Sequence, residues 1–279
     1  NDGDQDVIYH GGLDFGVMVP ADNPGVLLQN QSCTGEFTYD ADAIELDHRR
    51  RAVTGVALGD LDRNGFVDVV TASSFDLPEE ALMVPSPAMW DAPFDGIATL
   101  GITWDLTPDG FVWMGIDRLP GSLTVELANG DNGHRSVTVQ TVGSVGLTPH
   151  GAVNRNGIGA VIAFTPKNGD TVLSPVTGGS SFASQHSLER TFGLGDALYG
   201  EVDVLWPGGV RNRLERVRAG SHVVLPEIPC SYDAAWPSRA AFLGCVARSL
   251  TDLFNADVLS RGEAIRHFRS MRRAYDEAN

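Results

Sequence analysis

One nine-residue stretch constrains this chain more than any other: Asp60-Leu-Asp-Arg-Asn-Gly-Phe-Val-Asp68, which carries oxygen-bearing side chains at places one, three, five and nine. Calcium takes six to eight oxygen ligands at about 2.3–2.6 Å, and a short acidic loop can supply them. Gly65 at place six lets the backbone turn sharply around an ion. The candidate ligands are the side chains of Asp60, Asp62, Asn64 and Asp68 and the backbone carbonyl of Phe66.

Two alternatives apply to this loop. An EF-hand requires a Glu at place twelve and flanking helices, but this chain has Thr71 there and short apolar runs on both sides, Thr54–Asp60 and Val67–Thr71, which predict strands. A solvated acidic turn is the other alternative, and its clustered like charges would repel one another without an ion. The sequence therefore favours a calcium loop between two strands.

Two further stretches repeat parts of the same spacing. One runs from Asp105 to Trp113, with Thr at the third place and a bulky Trp where the closing carboxylate would stand. The other is the start of the chain, which reproduces the last places of the loop, so we expect the sequence to begin inside a repeat. We predict a partial cation site at Asp2, Asp4 and Asp6, and a degenerate one at Asp105, Thr107 and Asp109.

Repeats of about 45 to 60 residues that are flanked by strands are typical of propeller blades. Two or three blades cannot close a ring, so we expect the other blades either upstream in a longer precursor or in another chain. The first residues show neither the basic region nor the apolar region of a signal peptide. We therefore expect the true N-terminus to be missing from this sequence.

Composition narrows the class of protein and the class of partner. The 32 Gly and 15 Pro residues, with short runs of Val, Leu, Ile and Thr, predict many short strands and tight turns. The 36 acidic residues outnumber the 20 basic ones, and a net charge of −16 repels nucleic acid and anionic membranes while favouring cations. No apolar stretch of about 18 residues occurs, so we expect no membrane-spanning helix.

The rest of the chain predicts a second β domain and a helical tail. Gly151–Phe164 begins a new run of strands, and Asn168-Gly169 is a hairpin signal. We also expect strands at Thr171–Val176, Glu201–Trp206 and His222–Leu225. The predicted helices are Ala240–Phe254 and Arg261–Tyr275, with Leu250, Phe254, Ile265, Phe268 and Tyr275 at helical spacing. The predicted boundaries are 1–143 for the blades, 144–226 for the β domain and 227–279 for the tail.

Three cysteines, Cys33, Cys230 and Cys245, show no CxxC spacing of a zinc or redox motif. The preferred interpretation is a Cys230–Cys245 disulfide, which would imply an oxidising compartment. Three buried free thiols are the alternative. The Asn30-Gln-Ser32 sequon agrees with export.

The loop and its surroundings resemble an FG-GAP or VCBS-type repeat, as in integrin α propellers. The resemblance rests on the order of Val26–Asn30, then Gly35-Glu-Phe-Thr38, then Gly55-Val-Ala-Leu-Gly-Asp60. It implies a calcium-stapled propeller blade.

The region after the blades resembles the ASPIC/UnbV domain. The motifs are Asn154-Arg-Asn-Gly-Ile-Gly-Ala160, Val176-Thr-Gly-Gly-Ser180, Ser184-Gln185, Phe192-Gly-Leu-Gly195 and Val204-Leu-Trp-Pro-Gly208. Together the two resemblances imply the architecture of cartilage-acidic-protein-like secreted proteins and their bacterial relatives, with a propeller followed by a β-sandwich-like domain. The insertion Thr141–Pro149 and the helical tail depart from that pattern.

Catalysis finds little support in the sequence. There is no Gly-x-Ser-x-Gly elbow, HExxH or Walker loop. Gly178-Gly-Ser-Ser181 near His186 is an anion nest or nucleophile in one interpretation and a tight turn in the favoured one. His48-Arg-Arg-Arg51 is a basic patch, which either binds an acidic partner or forms a solvated loop, and the loop is favoured. The last helix is also basic, and it packs either on an acidic surface of a partner or on the acidic body of this protein.

We therefore expect an extracellular, periplasmic or cell-surface calcium-binding protein that acts as a binding, adhesion or scaffold module for a protein or glycan partner. The alternative is an accessory subunit of a larger redox or biosynthetic complex, in which other chains complete the ring. Whether the chain is an enzyme is left open by the sequence, with a non-enzymatic role favoured.

Overall fold

The computed structural model describes residues 6–9, 26–30, 36–40, 51–78, 102–107, 110–116, 119–128, 133–180 and 182–279. The strands are β1 (Val7–Tyr9), β2 (Val26–Asn30), β3 (Phe37–Asp40), β4 (Arg51–Gly59), β5 (Asp68–Asp76), β6 (Ile102–Thr107), β7 (Gly110–Ile116), β8 (Leu119–Pro120), β9 (Leu123–Glu126), β10 (Arg135–Val142), β11 (Val161–Pro166), β12 (Val172–Pro175), β13 (Arg190–Gly195), β14 (Tyr199–Leu205), β15 (Arg211–Arg218) and β16 (His222–Pro226). The helices are α1 (Arg239–Asn255) and α2 (Arg261–Ala278). The prediction of a mainly β chain that ends in helices is confirmed.

The strands before residue 128 form three sheets. β1, β2 and β3 make one antiparallel sheet in that order. In another sheet β5 is central, with β4 along one edge and β8 and β9 along the other. β6 and β7 pair as a hairpin. These strands close no ring within the described residues, so the propeller stays a prediction.

A buried arginine ties the β4–β5–β9 sheet together. Arg51 is 8% exposed, and its guanidinium donates to the hydroxyls of Thr71 at 2.7 Å and Thr124 at 3.0 Å and to the carbonyl of Ser122 at 3.1 Å. Asp76 lies 3.9 Å from the same guanidinium. A buried charge needs such partners to offset its lost hydration. The interpretation of Arg51 as part of a solvated basic loop was therefore wrong.

Two sheets of the second region enclose one apolar core. One is ordered β13-β10-β16 and the other β12-β11-β14-β15. Alternate residues of each strand point inward, because strand side chains alternate between faces. The core residues are Val137, Val139, Ile162, Phe164, Phe192, Leu194, Val202, Val204, Leu214, Val217, Val223 and Leu225. Asn168, with φ of 64°, lies in the turn of the β11–β12 hairpin, as the Asn-Gly signal predicts.

Strand β10 belongs by pairing to this second region, although the predicted boundary at 143 places it with the blades. It pairs antiparallel with β13 and parallel with β16. Its inward side chains, Val137 and Val139, are at most 1% exposed and lie in the shared core. β10 therefore joins the N-terminal sheets to the core of the second region.

A buried carboxylate holds the segment between β10 and β11. Glu227 is 1% exposed and accepts hydrogen bonds from the backbone and hydroxyl of Ser144 at 3.0 and 2.7 Å and from the backbone N–H of Val153 at 3.0 Å. Hydrogen bonds to a charged acceptor are among the stronger ones in proteins. The lengthened segment Thr141–Pro149 is thus fixed at its base by a residue from the end of β16.

The two helices agree with the predicted spans, whereas the predicted apolar faces are only partly buried. Ser238 caps α1 and Ser260 forms a capping box with Glu263 at the start of α2. Phe254 and Ile265 are 45% and 44% exposed. Leu250 is buried as predicted, and Phe268 and Tyr275 pack against the same cluster. The buried positions are Phe242, Val246, Ser249, Leu250 and Leu253 of α1 and His267, Ser270, Met271 and Ala274 of α2. The predicted apolar faces are therefore confirmed in part.

The tail is also joined covalently to the sheets. Cys230, just after β16, is disulfide-bonded to Cys245 of α1, which confirms the predicted pairing. Cys33 lies outside the described residues. Cys230 packs with Ile228, Phe242 and Met271 in a second apolar cluster. No helix among the described residues is long and apolar enough to cross a membrane.

The pH dependence of stability is expected to report the burial of His267. Burial lowers the pKa of this imidazole to about 4 from an ordinary value of 6.5, and the ring N–H at Nε2 donates to the carbonyl of Val224 at 3.1 Å. Between those pH values the unfolded chain binds a proton that the folded chain does not. The free energy of unfolding should therefore fall by on the order of 3 kcal/mol as pH drops from about 6.5 to about 4.

Urea unfolding across that pH range measures this effect. His267→Gln keeps a donor for Val224 but cannot titrate, so it should flatten this part of the pH profile. His150→Gln removes an exposed histidine and serves as the matched control with an unchanged profile. Equal profiles for the His267 variant and the wild type would contradict the assignment.

Candidate metal centre

The acidic loop connects β4 and β5 at the point where their pairing ends. Gly59 is opposite Asp68 in the last pair of the ladder, so residues 60–67 form a closed turn rather than an open linker. Arg63 and Gly65 have φ of 62° and 90°, in the left-handed region. These two left-handed residues let the chain curl into a tight loop. The predicted arrangement of strand, loop and strand is confirmed.

Three carboxylates of the loop converge. One oxygen from each of Asp60, Asp62 and Asp68 lies within 4.8 Å of the others. Asp68 is fully buried, Asp60 is half-buried and Asp62 is exposed. The loop therefore opens on the solvent side at Asp62 and is closed on the protein side at Asp68.

Side-chain to backbone hydrogen bonds set the shape of the loop. Asp62 accepts from the N–H of Asn64 at 3.0 Å, and Asn64 accepts from the N–H of Phe66 at 2.8 Å. Asp60 accepts from the N–H of Gly65 at 3.0 Å, and Asp68 from the N–H of Leu61 at 2.6 Å. Such bonds are the usual way in which Asp and Asn order a turn. The protein itself thus holds the carboxylates close together.

The residues present fit a hard cation. The Oδ1 atom of Asp60 is buried and has no hydrogen-bond partner, although buried polar atoms are normally paired. No lysine or arginine in the described part of the chain forms an ion pair with Asp60, Asp62 or Asp68. Carboxylates this close repel one another unless a positive charge lies between them. An all-oxygen donor set of this kind is typical of calcium rather than zinc.

Asp68 has a second role that is repeated in the first sheet. Its Oδ1 accepts from the backbone N–H of Ala128, which follows β9, the strand paired with β5. Asp6, just before β1, accepts in the same way from the N–H of Asn30, at the end of β2, at 2.9 Å. The two aspartates therefore occupy equivalent positions, each at the start of one strand and bonded to the end of the strand paired with it.

The remaining predicted ligands are placed as follows. Asp2, Asp4 and Asp109 lie outside the described residues. Asp105 and Thr107 are in β6, opposite Val112 and Gly110 of β7. The described backbone of residues 102–107 and 110–116 is a hairpin, without the nine-residue loop found at 60–68. The sequences of β6 and β7 are rich in Trp, Leu, Phe and Val, and this composition favours strand pairing.

Residues 150–230 match the family model described as ASPIC and UnbV. That stretch contains β11 to β16, whereas β10, the acidic loop and both helices lie outside it. The predicted ASPIC/UnbV domain is therefore confirmed for this part of the chain. A search of curated proteins finds no match to the chain.

The ASPIC/UnbV region contacts the strand that leads into the acidic loop. The N–H of Val56 donates to Ser184 Oγ at 3.0 Å, and that of Leu58 donates to His186 Nδ1 at 3.1 Å. The carbonyl of Leu58 accepts from the N–H of Ser187 at 2.8 Å. Residues 184–187 thereby cover the free edge of β4. Burial, and then the charge of Arg190, lower the pKa of His186, which keeps its Nδ1 free to accept.

Ser180, in the Gly178-Gly-Ser-Ser181 motif, supports this contact. The hydroxyl of Ser180 accepts from the N–H of His186 at 2.8 Å, and the N–H of Ser180 donates to the carbonyl of Ser184 at 3.2 Å. Ser181 lies outside the described residues. Ser180 is therefore engaged in ordering the backbone at the β4 edge.

A cleft that the sequence did not predict separates the loop from the second region. It has a volume of about 90 Å³ and is lined by Asp60 and Arg63 on one side and by Ser136, Glu189 and His222 on the other. His222 and Glu189 lie 3.1 Å apart. These residues come from four separate stretches of the chain, so no local motif could have joined them.

Replacement of Gly65 should be costly because of both its backbone and its neighbour. In Gly65→Ala the left-handed backbone would be strained, and the new Cβ would lie 2.3 Å from Ser136 Oγ. Gly133→Ala is the matched control, since Gly133 also has positive φ, 73°, but nothing within 4 Å of its Cβ position. We expect Gly65→Ala to lower the free energy of unfolding by about 1 kcal/mol more than the control does.

Urea unfolding of both variants and of the double variant Gly65→Ala/Ser136→Ala tests this expectation. Removal of the Ser136 hydroxyl should recover the extra loss. Equal losses for Gly65→Ala and Gly133→Ala would show that the loop does not press against β10.

Proposed function

We propose that this protein is an extracytoplasmic calcium-binding module whose role is binding, adhesion or scaffolding. The observation that carries the proposal is the convergence of the Asp60, Asp62 and Asp68 carboxylates around a buried, unpaired oxygen. The side chains of Asp60, Asp62, Asn64 and Asp68 and the carbonyl of Phe66 would hold the ion. When bound, calcium supplies positive charge that offsets the repulsion among the carboxylates.

The disulfide supports an extracellular, periplasmic or cell-surface location. Cys230 and Cys245 are bonded, and disulfides persist mainly in oxidising compartments. The formal charge of −16 argues against nucleic acid as the partner. A protein or glycan partner is consistent with these properties.

We further propose that the N-terminal sheets are FG-GAP-type blades of a propeller. The equivalent hydrogen bonds of Asp6 and Asp68 support an internal repeat, because each ties the start of one strand to the end of its neighbour. The cartilage-acidic-protein-like architecture would then follow from the order of these blades and the ASPIC/UnbV region. A propeller blade stabilised by calcium would serve as a rigid platform rather than as a catalyst.

Thermal unfolding with calcium and with a chelator tests the calcium proposal. An ion at about 100 times its Kd stabilises the folded state by about 2.7 kcal/mol. In a protein of this size that should raise Tm by roughly 5–10 °C. Asp60→Asn keeps the shape of the side chain but removes the charge next to the unpaired oxygen, so it should abolish most of the shift.

The matched control for that experiment is Asp170→Asn, at an exposed aspartate outside the loop, which should retain the full shift. Isothermal titration with calcium chloride gives the affinity directly. A wild-type Tm that is the same with calcium and with chelator would rule the proposal out, as would an unchanged shift in Asp60→Asn.

A second candidate function is an accessory subunit of a larger redox or biosynthetic complex. It is favoured by an apolar row on β9 and just after it, where Leu123, Val125 and Leu127 are 70%, 50% and 57% exposed. Alternate residues share one face of a strand, and contiguous exposed apolar surface is typical of an interface. Neighbouring blades of the same protein or another chain would cover this row.

Native mass measurement of the complex purified from its source distinguishes the two candidates. Co-purifying chains or cofactors would favour the subunit, and a lone full-length monomer would favour the scaffold. If β9 is the contact, Leu123→Glu/Leu127→Glu should release the partner. The control Leu198→Glu/Leu205→Glu changes two exposed leucines of the ASPIC/UnbV region and should leave the mass unchanged.

A further inference from the structure

A groove of about 230 Å³ runs between β15 and α2. Its charged lining consists of Glu215, Arg216, Arg266, Arg269 and Arg273. Four arginines against one glutamate give a local excess of three positive charges, on a protein with a formal net charge of −16. We call this surface the basic groove, and most of its lining lies on α2, beyond the residues that match ASPIC and UnbV.

A bulge in β15 builds one wall of the basic groove. Leu214 pairs with Val202 and Val217 pairs with Gly200, so two residues of β15 lie opposite one residue of β14. Arg216, within the bulge, has φ of 51°, and its guanidinium lies 5.4 Å from the centre of the Tyr199 ring. Left-handed φ is strained for a bulky residue, and such strain concentrates at functional sites. The bulge turns Arg216 toward α2.

The other wall is formed by arginines of α2, of which Arg266 has the carboxylate of Glu263 as an electrostatic neighbour. Arg273 contacts the carboxylate of Glu215, but neither Arg266 nor Arg269 forms an ion pair with any described residue. Both are exposed. Ile265 lies beside them at the groove and is 44% exposed. The basic groove thus combines exposed guanidinium groups with an apolar contact.

The dimensions of the basic groove favour an extended peptide. The lining of α2 runs from Gly262 to Arg273, which at 1.5 Å per residue is about 16 Å. About five residues of extended chain span that distance. Guanidinium groups match carboxylates in geometry as well as charge. We propose that the basic groove binds an acidic peptide segment of a partner protein, with carboxylates on Arg266 and Arg269 and an apolar side chain on Ile265.

Other anions fit the basic groove less well. A single small oxyanion would use neither its length nor Ile265. Long polyanions such as nucleic acid, and anionic membrane surfaces, would be repelled by the acidic remainder of the protein. A short acidic segment gains the local attraction without bringing a large charge near the acidic surface.

Fluorescence anisotropy with a labelled peptide of alternating Glu and Leu tests the proposal. At low salt we expect a Kd below about 100 µM, with weaker binding as salt rises. The same peptide with Gln in place of Glu should not bind. Arg266→Gln/Arg269→Gln should weaken binding of the Glu peptide by about tenfold or more.

Arg248→Gln/Arg272→Gln is the matched control, because it removes two exposed arginines outside the basic groove, one on α1 and one on α2. It should change Kd by less than about twofold. An equal loss in both double variants, or no binding of the Glu peptide, would overturn the proposal. Binding of phosphate or of a sulfated oligosaccharide in place of the peptide would overturn it too. Titrations in chelator keep the result independent of the acidic loop.

Discussion

The mutual repulsion of three carboxylates is the constraint around which the N-terminal half of this protein is organised. Asp60, Asp62 and Asp68 are held within 4.8 Å of one another by hydrogen bonds from the loop backbone, which bring them together before any cation contributes. A loop preordered in this way lowers the entropic cost of binding an ion. The same preorder leaves an electrostatic penalty that a bound cation would offset.

The acidic loop is coupled in turn to the ASPIC/UnbV region. Gly65 leaves no room for a Cβ beside Ser136 of β10, and the edge of β4 is covered by residues 184–187. An uncovered strand edge would present unpaired N–H and C=O groups to other chains. The contact protects that edge and also fixes the direction in which the loop opens. A conformational change in the acidic loop would therefore alter the contacts of β4 and the loop with the second region.

Local sequence patterns predicted those parts of the fold that depend on residues close to one another in the sequence. The turn between β4 and β5, the Asn168 hairpin, the two helices and the Cys230–Cys245 pair were all predictable from spacing. Strands β13 and β15 were missed because their Arg, Thr and Glu residues mask the apolar alternation. The exposure of Phe254 and Ile265 was not predicted, because burial on a helix depends on the elements that pack against it. The contact between β4 and residues 184–187 joins residues that are 128 positions apart in the sequence. No pattern within a short stretch of sequence could therefore predict it.

The disulfide has a mechanical consequence. Cys245 lies in α1, so tension applied to the chain beyond it, through α2 or anything attached there, would pass across the sulfur bridge to Cys230 at the end of β16. Residues 231–244, including Tyr232 and Phe242 of the apolar cluster, would bear none of that load. Only reduction of the bridge would expose them to it. Under force, this bypass would keep the joint between sheet and helices intact.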